Sequence, residues 1–182
     1  MKNLPNIITA FRLILVPVFS YYLCKEEFFI AFLVFAIAAW SDVLDGYLAR
    51  KYKAVTNFGK ICDPLADKAL QLSALIILFL IGKLRIIFVI IILLKELTLI
   101  LGGILLYKKK LIVPAQWYGK FASLLLNSAI AATILFPLGE IAVDIIISIS
   151  VAVTLFALLM YIKNYINIYR ESKVKTESQL KQ

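Results

Sequence analysis

The sequence contains no histidine. That absence removes serine–histidine triads, imidazole metal sites and histidine acid–base chemistry together. Cysteine is nearly missing, with only Cys24 and Cys62. Neither sits in a metal or redox spacing, and the helix order given below sets them at opposite membrane faces, too far apart for a disulfide. Both read as small apolar residues in helices. No glycine-rich Lys-Ser/Thr loop occurs, which argues against the usual nucleoside triphosphatases. No apolar–polar alternation marks strands, and no internal repeat is visible. Carboxylates are scarce too: 11 Asp and Glu stand against 20 Lys and Arg, for a net charge of +9. The excess cations form no basic amphipathic face interleaved with aromatics, so nucleic acid is not an expected partner.

What is abundant is hydrocarbon. The 182 residues are 63% hydrophobic with mean hydropathy +0.94, against about 45–50% apolar in soluble domains. The expected fold class is an all-α membrane protein of one domain. Apolar runs at 7–24, 28–50, 59–81, 86–107, 117–136 and 141–162 predict six transmembrane helices in one bundle. Each is near the ~20 residues that cross a ~30 Å hydrocarbon core. An open sheet could not satisfy its backbone there. The membrane domain is placed at residues 1–165, with a polar cytoplasmic tail at 166–182. Arg12 interrupts the first run and no small-residue cleavage site follows, so this run reads as a retained helix rather than a removed signal peptide.

Lys and Arg follow the second, fourth and sixth runs: Arg50, Lys51, Lys53 and Lys60, then Lys108 to Lys110, then Lys163, Arg170, Lys173, Lys175 and Lys181. The other side carries Lys25, Lys83 and Arg85. By the positive-inside rule both termini face the cytoplasm. The expectation is a multi-pass protein of the plasma membrane. The short, Lys- and Ile-rich chain, lacking a targeting peptide, looks bacterial.

Four carboxylates stand out against this background. Asp42 and Asp45 close the second run, and Asp63 and Asp67 open the third. Residues three or four apart share a helix face, so each pair lines one face, with Gly46, Ala49 and Gly59 leaving room for a ligand. Two antiparallel helices joined by the basic link would turn all four toward each other. Charges kept at the edge of hydrocarbon are costly and point to function. Repelling carboxylates invite hard divalent cations such as Mg²⁺ or Mn²⁺, and two such ions would clamp phosphate oxygens. Arg50 is a natural phosphate fork. The residues alone thus point to phosphoryl or diphosphate chemistry on a lipid, with the head at the cluster and the tails in the bilayer.

The pattern Asp42-x2-Asp45-Gly46-x2-Ala49-Arg50-x8-Gly59-x3-Asp63-x3-Asp67 resembles the signature of the CDP-alcohol phosphatidyltransferases, with all eight residues in register. The resemblance implies a six-helix bundle, CDP-diacylglycerol as donor, an alcohol as acceptor and CMP as leaving group. It implies that Asp42, Asp45 and Asp63 hold two metal ions, and that Asp67 is the general base and also touches a metal. Asn6, Gly46, Arg50, Thr56 and Gly59 would bind CDP-diacylglycerol, although Asn6 is equally well a helix cap and Thr56 a turn residue. Asn3-Leu4-Pro5-Asn6-Ile7-Ile8-Thr9, with Arg12 beyond, and Asn57 to Lys68 are similar to the branch that uses glycerol 3-phosphate. Lys95, deep in the fourth run, and Lys120, at the start of the fifth, would then hold the acceptor's phosphate. Lys120 is equally well a snorkelling interfacial lysine. Lys95 and Glu96, being adjacent, are not expected to form a salt bridge.

That branch usually has Arg-Glu where this chain has Lys95-Glu96, and a second lysine where it has Ala122. Phosphatidylglycerol, the acceptor of cardiolipin synthase-type members, therefore stays open as an alternative. Outside the family, a cation transporter would also carry acidic residues in its spans. Such sites tend to lie at the midplane in broken helices, whereas Arg50 and Lys60 here would repel a cation. A homodimer is compatible with the sequence.

Overall fold

The computed structural model describes the backbone at residues 4–51, 57–108 and 116–179, and the side chains at 8–41, 65–105 and 116–168. These residues form six α-helices: α1 (Leu4–Cys24), α2 (Phe28–Lys51), α3 (Asn57–Leu80), α4 (Ile86–Lys108), α5 (Trp117–Leu135) and α6 (Glu140–Gln179). No strand occurs among them. The apolar runs had located every helix. Two ends differ from expectation by three residues or more. α1 begins at Leu4 rather than Ile7, because Pro5 fits a first helical turn, where its missing N–H has no partner to lose. Asn6 therefore lies past the cap position. α6 continues for 40 residues, about 60 Å at about 1.5 Å per residue, so it far outruns a ~30 Å hydrocarbon core.

α3 is the central helix. It packs against α1, α2, α4 and α5, while α6 covers α4 and α5, and α2 also meets α5. The interior is apolar: Phe19, Leu23, Phe35, Leu75, Leu78, Ile92, Leu126, Ile130 and Ile147 are buried. Phe19 and Phe35 stack tilted, with centroids 5.5 Å apart. Ala31, Ala38, Ala66, Ala74, Ala122 and Ala129 are buried with them. Small residues at contacts let helix backbones approach closely, which is how helices associate where lipid removes the hydrophobic drive. The outer surface is also apolar, with Ile14, Trp40, Leu80, Leu101, Leu124, Ile141 and Phe156 all more than half exposed. That inversion suits a bilayer rather than water. The described parts of three helices are long and apolar enough to cross a membrane: Ile86–Leu105, Trp117–Leu135 and Glu140–Ile168. The protein is a helical membrane protein.

Two turns share one design. At the end of α1, Glu27 N–H donates to Tyr22 O and Glu26 N–H to Leu23 O. After α3, Lys83 N–H donates to Leu78 O and Gly82 N–H to Phe79 O. Both are Schellman caps, which need a left-handed residue; it is Gly82 (φ 74) in one and Glu26 (φ 59) in the other. Lys83 Nζ sits 3.6 Å from the centre of the Phe28 ring, and Arg85 pairs with Asp144 at 2.7 Å. These contacts gather the start of α2, the α3–α4 turn and the start of α6 at one end of the bundle. The acidic ends of α2 and α3 lie at the other.

Candidate active site

Asp42, Asp45, Gly46 and Arg50 lie on the last turns of α2, and Gly59 and Asp63 on the first turns of α3. Their side chains, and that of Asn6 on α1, are outside the described residues; Thr56 lies outside the described backbone as well. What the structure describes is the ground on which that cluster stands.

On α1, Thr9 and Arg12 are both buried, as their shared face requires. Arg12 Nε donates to Ser41 Oγ at 3.4 Å, and Ser41 Oγ in turn donates to Ala38 O at 2.7 Å. A guanidinium thus reaches α2 at the residue before Asp42. Nothing in the sequence pointed to Ser41, since a serine inside an apolar run reads as a packing residue.

On α3, Asp67 is half-buried. It shares its face with Leu70, Gln71 and Ala74, all buried, so the helix turns this side to the bundle interior. One turn along, Gln71 Nε2 donates to Asn127 Oδ1 at 2.8 Å. This cross-helix bond ties α3 to α5 directly beneath Asp67.

Beside Asp67 is an ionic cluster between α3 and α4. Lys68 Nζ donates to Glu96 Oε1 at 2.8 Å, and Lys95 Nζ donates to the same oxygen at 2.5 Å. Lys95 and Glu96 are nearly sealed, at 7% and 6% exposure. Lys95 also interacts electrostatically with Asp67. The expectation that adjacent Lys95 and Glu96 would not pair was wrong. The facing rule describes side chains spread over a helix surface, whereas here Lys68 arrives from α3 and draws the carboxylate and the long Lys95 chain to one point. Counting Asp67, two cations here face two carboxylates. Sequence reasoning had named Lys95 but missed Lys68, which follows Asp67 directly and reads as an interfacial lysine.

Lys120 is placed differently. It is exposed, and the buried face of α5 is carried by Ala122, Leu126, Ala129 and Ile130. The structure brings Lys95 toward Asp67 and leaves Lys120 on the outer side of α5. No group of three or more acidic, cysteine or histidine residues able to hold a metal occurs among the described residues.

The chain as a whole has known relatives. A probable phosphatidylglycerophosphate synthase of Mycobacterium tuberculosis is 35% identical over 161 residues, covering 85% of this chain and 77% of that protein. The CDP-diacylglycerol–glycerol-3-phosphate 3-phosphatidyltransferase of Aquifex aeolicus is 38% identical over 127 residues, covering 69% of this chain and 71% of its own length. The Bacillus subtilis protein of the same name is 45% identical over 93 residues, covering 43% and 48%. The family model for CDP-alcohol phosphatidyltransferases matches residues 2–164, from the first residues of α1 through most of α6. The eight-residue pattern on α2 and α3 is thus no isolated coincidence: this chain belongs to the CDP-alcohol phosphatidyltransferase family.

Proposed function

We propose that the protein transfers a phosphatidyl group from CDP-diacylglycerol to glycerol 3-phosphate, giving phosphatidylglycerophosphate and CMP. The observation that carries this is the complete Asp42 to Asp67 pattern in a chain whose relatives bear that enzyme's name over most of their length. We further propose six spans, both termini and the acidic cluster at the cytoplasmic side, and the plasma membrane of a bacterium as location. The lysine clusters after α2, α4 and α6 support that orientation.

Asp42, Asp45, Asp63 and Asp67 offer only carboxylate oxygens, the donor set of a hard divalent ion. They would hold Mg²⁺ or Mn²⁺. When bound, two such ions supply positive charge to the diphosphate of the donor. Arg50 would fork the same diphosphate, with Asn6, Gly46, Thr56 and Gly59 lining the cytidine end, where glycine allows close backbone approach. Asp67 takes the proton from the acceptor hydroxyl. The freed oxygen attacks the phosphorus that bears the diacylglycerol, and the bond from that phosphorus to the oxygen bridging it to CMP breaks. Lys95 holds the acceptor's phosphate close to Asp67, which explains a lysine sealed inside a helical bundle.

The test is CMP release by the purified protein in detergent or vesicles with CDP-diacylglycerol and glycerol 3-phosphate. Release is expected with Mg²⁺ or Mn²⁺ and is expected to stop on chelation. Phosphatidylglycerol in place of glycerol 3-phosphate tests the cardiolipin synthase-type alternative. CMP release with that acceptor alone would overturn the choice of glycerol 3-phosphate.

A further inference from the structure

The cluster of Lys68, Glu96 and Lys95 is assigned no role by the family pattern on α2 and α3. We propose that Lys68 is a second ligand for the phosphate of the acceptor, and that Glu96 is a positioning residue that gathers Lys68 and Lys95 into one clamp beside Asp67. The inference rests on the phosphatidyl-transfer reading above and extends it to a recognition device for a small phosphomonoester.

Three observations carry it. First, one carboxylate oxygen receives both ammonium groups, at 2.8 Å and 2.5 Å. A carboxylate that holds two lysines fixes their separation and sets a pair of ammonium groups beside Asp67. Second, burial is graded. The side chains of Lys95 and Glu96 are at 7% and 8% exposure while that of Lys68 is at 30%. The inner pair is thus set in the bundle, and Lys68 is the most accessible of the three. Third, the clamp spans the helix carrying Asp67 and its neighbour. Lys68 follows Asp67 on α3, and Lys95, on α4, senses the charge of Asp67. A phosphomonoester held there presents its own hydroxyl within reach of the base, which is the proximity that group transfer exploits. The geometry also answers a deficit in the sequence. A second acceptor lysine is missing at Ala122, which is buried on α5, and Lys68 supplies a second cation from another helix.

The experiment compares the wild-type protein with Lys68→Gln, Glu96→Gln, Glu96→Asp and the Lys68→Gln/Glu96→Gln double variant, measuring kcat and KM for each substrate. Losing one charged hydrogen bond to a phosphate is expected to raise KM for glycerol 3-phosphate about tenfold or more, with KM for CDP-diacylglycerol unchanged within about twofold. Glu96→Asp, which keeps the carboxylate, should recover much of the loss. The double variant should be little worse than the worse single one, because both act through one clamp. Thermal stabilisation by CDP-diacylglycerol, retained in each variant, confirms a folded donor site. The inference falls if the variants weaken both substrates alike, if they lower only melting temperature, or if KM for glycerol 3-phosphate stays the same or drops. In those cases a wild-type protein active on glycerol 3-phosphate keeps the phosphatidyl-transfer reading intact. A wild-type protein that releases CMP only with an acceptor lacking a phosphomonoester overturns the acceptor and the clamp together.

Discussion

At the scale of single residues, what distinguishes this interior is where it keeps charge. Hydrocarbon penalises an ionised side chain heavily, yet Arg12, Lys95 and Glu96 are all buried, and Asp67 is half-buried next to them. Each has a contact that accounts for its place. Arg12 reaches Ser41, Glu96 binds two lysines, and Asp67 interacts electrostatically with Lys95. Asp67→Asn keeps size and polarity but cannot accept a proton at neutral pH. It is expected to lower kcat by about 10²–10⁴, the usual worth of a general base, while CDP-diacylglycerol still raises the melting temperature. Loss of donor binding with little change in kcat at saturation would move Asp67 from base to metal ligand. The acidic positions were legible from spacing alone, because helical periodicity needs no tertiary knowledge. The clamp was not. Lys68 and Glu96 are 28 residues apart in sequence, and only the packing of α3 on α4 makes them neighbours.

At the scale of elements, the six helices could be read from their apolar runs, and the misjudged ends have local causes: a proline tolerated in the first turn of α1 and a polar continuation of α6. The caps make a sharper point. Gly82 takes the left-handed position after α3 at no steric cost, whereas Glu26 takes the same position after α1 with a side chain. A non-glycine residue there costs about 1–2 kcal/mol, so Glu26→Gly is expected to stabilise the protein by about 1 kcal/mol, less the extra freedom glycine gives the unfolded chain. A rise in melting temperature with unchanged KM checks this; a fall would mean that the Glu26 side chain holds the turn in another way. A second element-scale prediction concerns α5 and α6. Tyr161 packs edge-on against Tyr118 at 4.8 Å, and its hydroxyl accepts the Gln116 N–H at 3.2 Å. A Cβ on Gly119 would meet that hydroxyl and lie 2.8 Å from Tyr161 Cε2. Gly119→Ala must displace the ring and its bond to the start of α5, at an expected cost of about 1–3 kcal/mol. Gly119→Ala combined with Tyr161→Phe, which removes the colliding oxygen, should recover part of that loss. Melting curves of the two variants check it.

At the scale of the whole molecule, the two ends of the bundle are chemically different. One end is closed by short turns and by contacts of Lys83 with Phe28 and Arg85 with Asp144. The other is where the acidic turns of α2 and α3 lie, and in the sequence lysine-rich segments follow α2, α4 and α6. A water-soluble acceptor and a donor that stays in the bilayer would meet at an end that opens to water, and the orientation proposed from charge puts that end on the cytoplasmic side. Cysteine labelling tests it. Cys24 is exposed at the end of α1, beside the closed turns, and a cysteine introduced as Ser178→Cys near the end of α6 reports on the other side. With Cys62 replaced by alanine, a membrane-impermeant maleimide is expected to label Cys24 in intact cells and the Ser178→Cys position only after the membrane is broken. The reverse pattern would invert the protein and put its acidic cluster outside. Labelling of both positions in intact cells would mean an odd number of spans or an unsealed membrane, and a control on a cytosolic protein separates the two; with the membrane sealed, that result would overturn the six-span bundle.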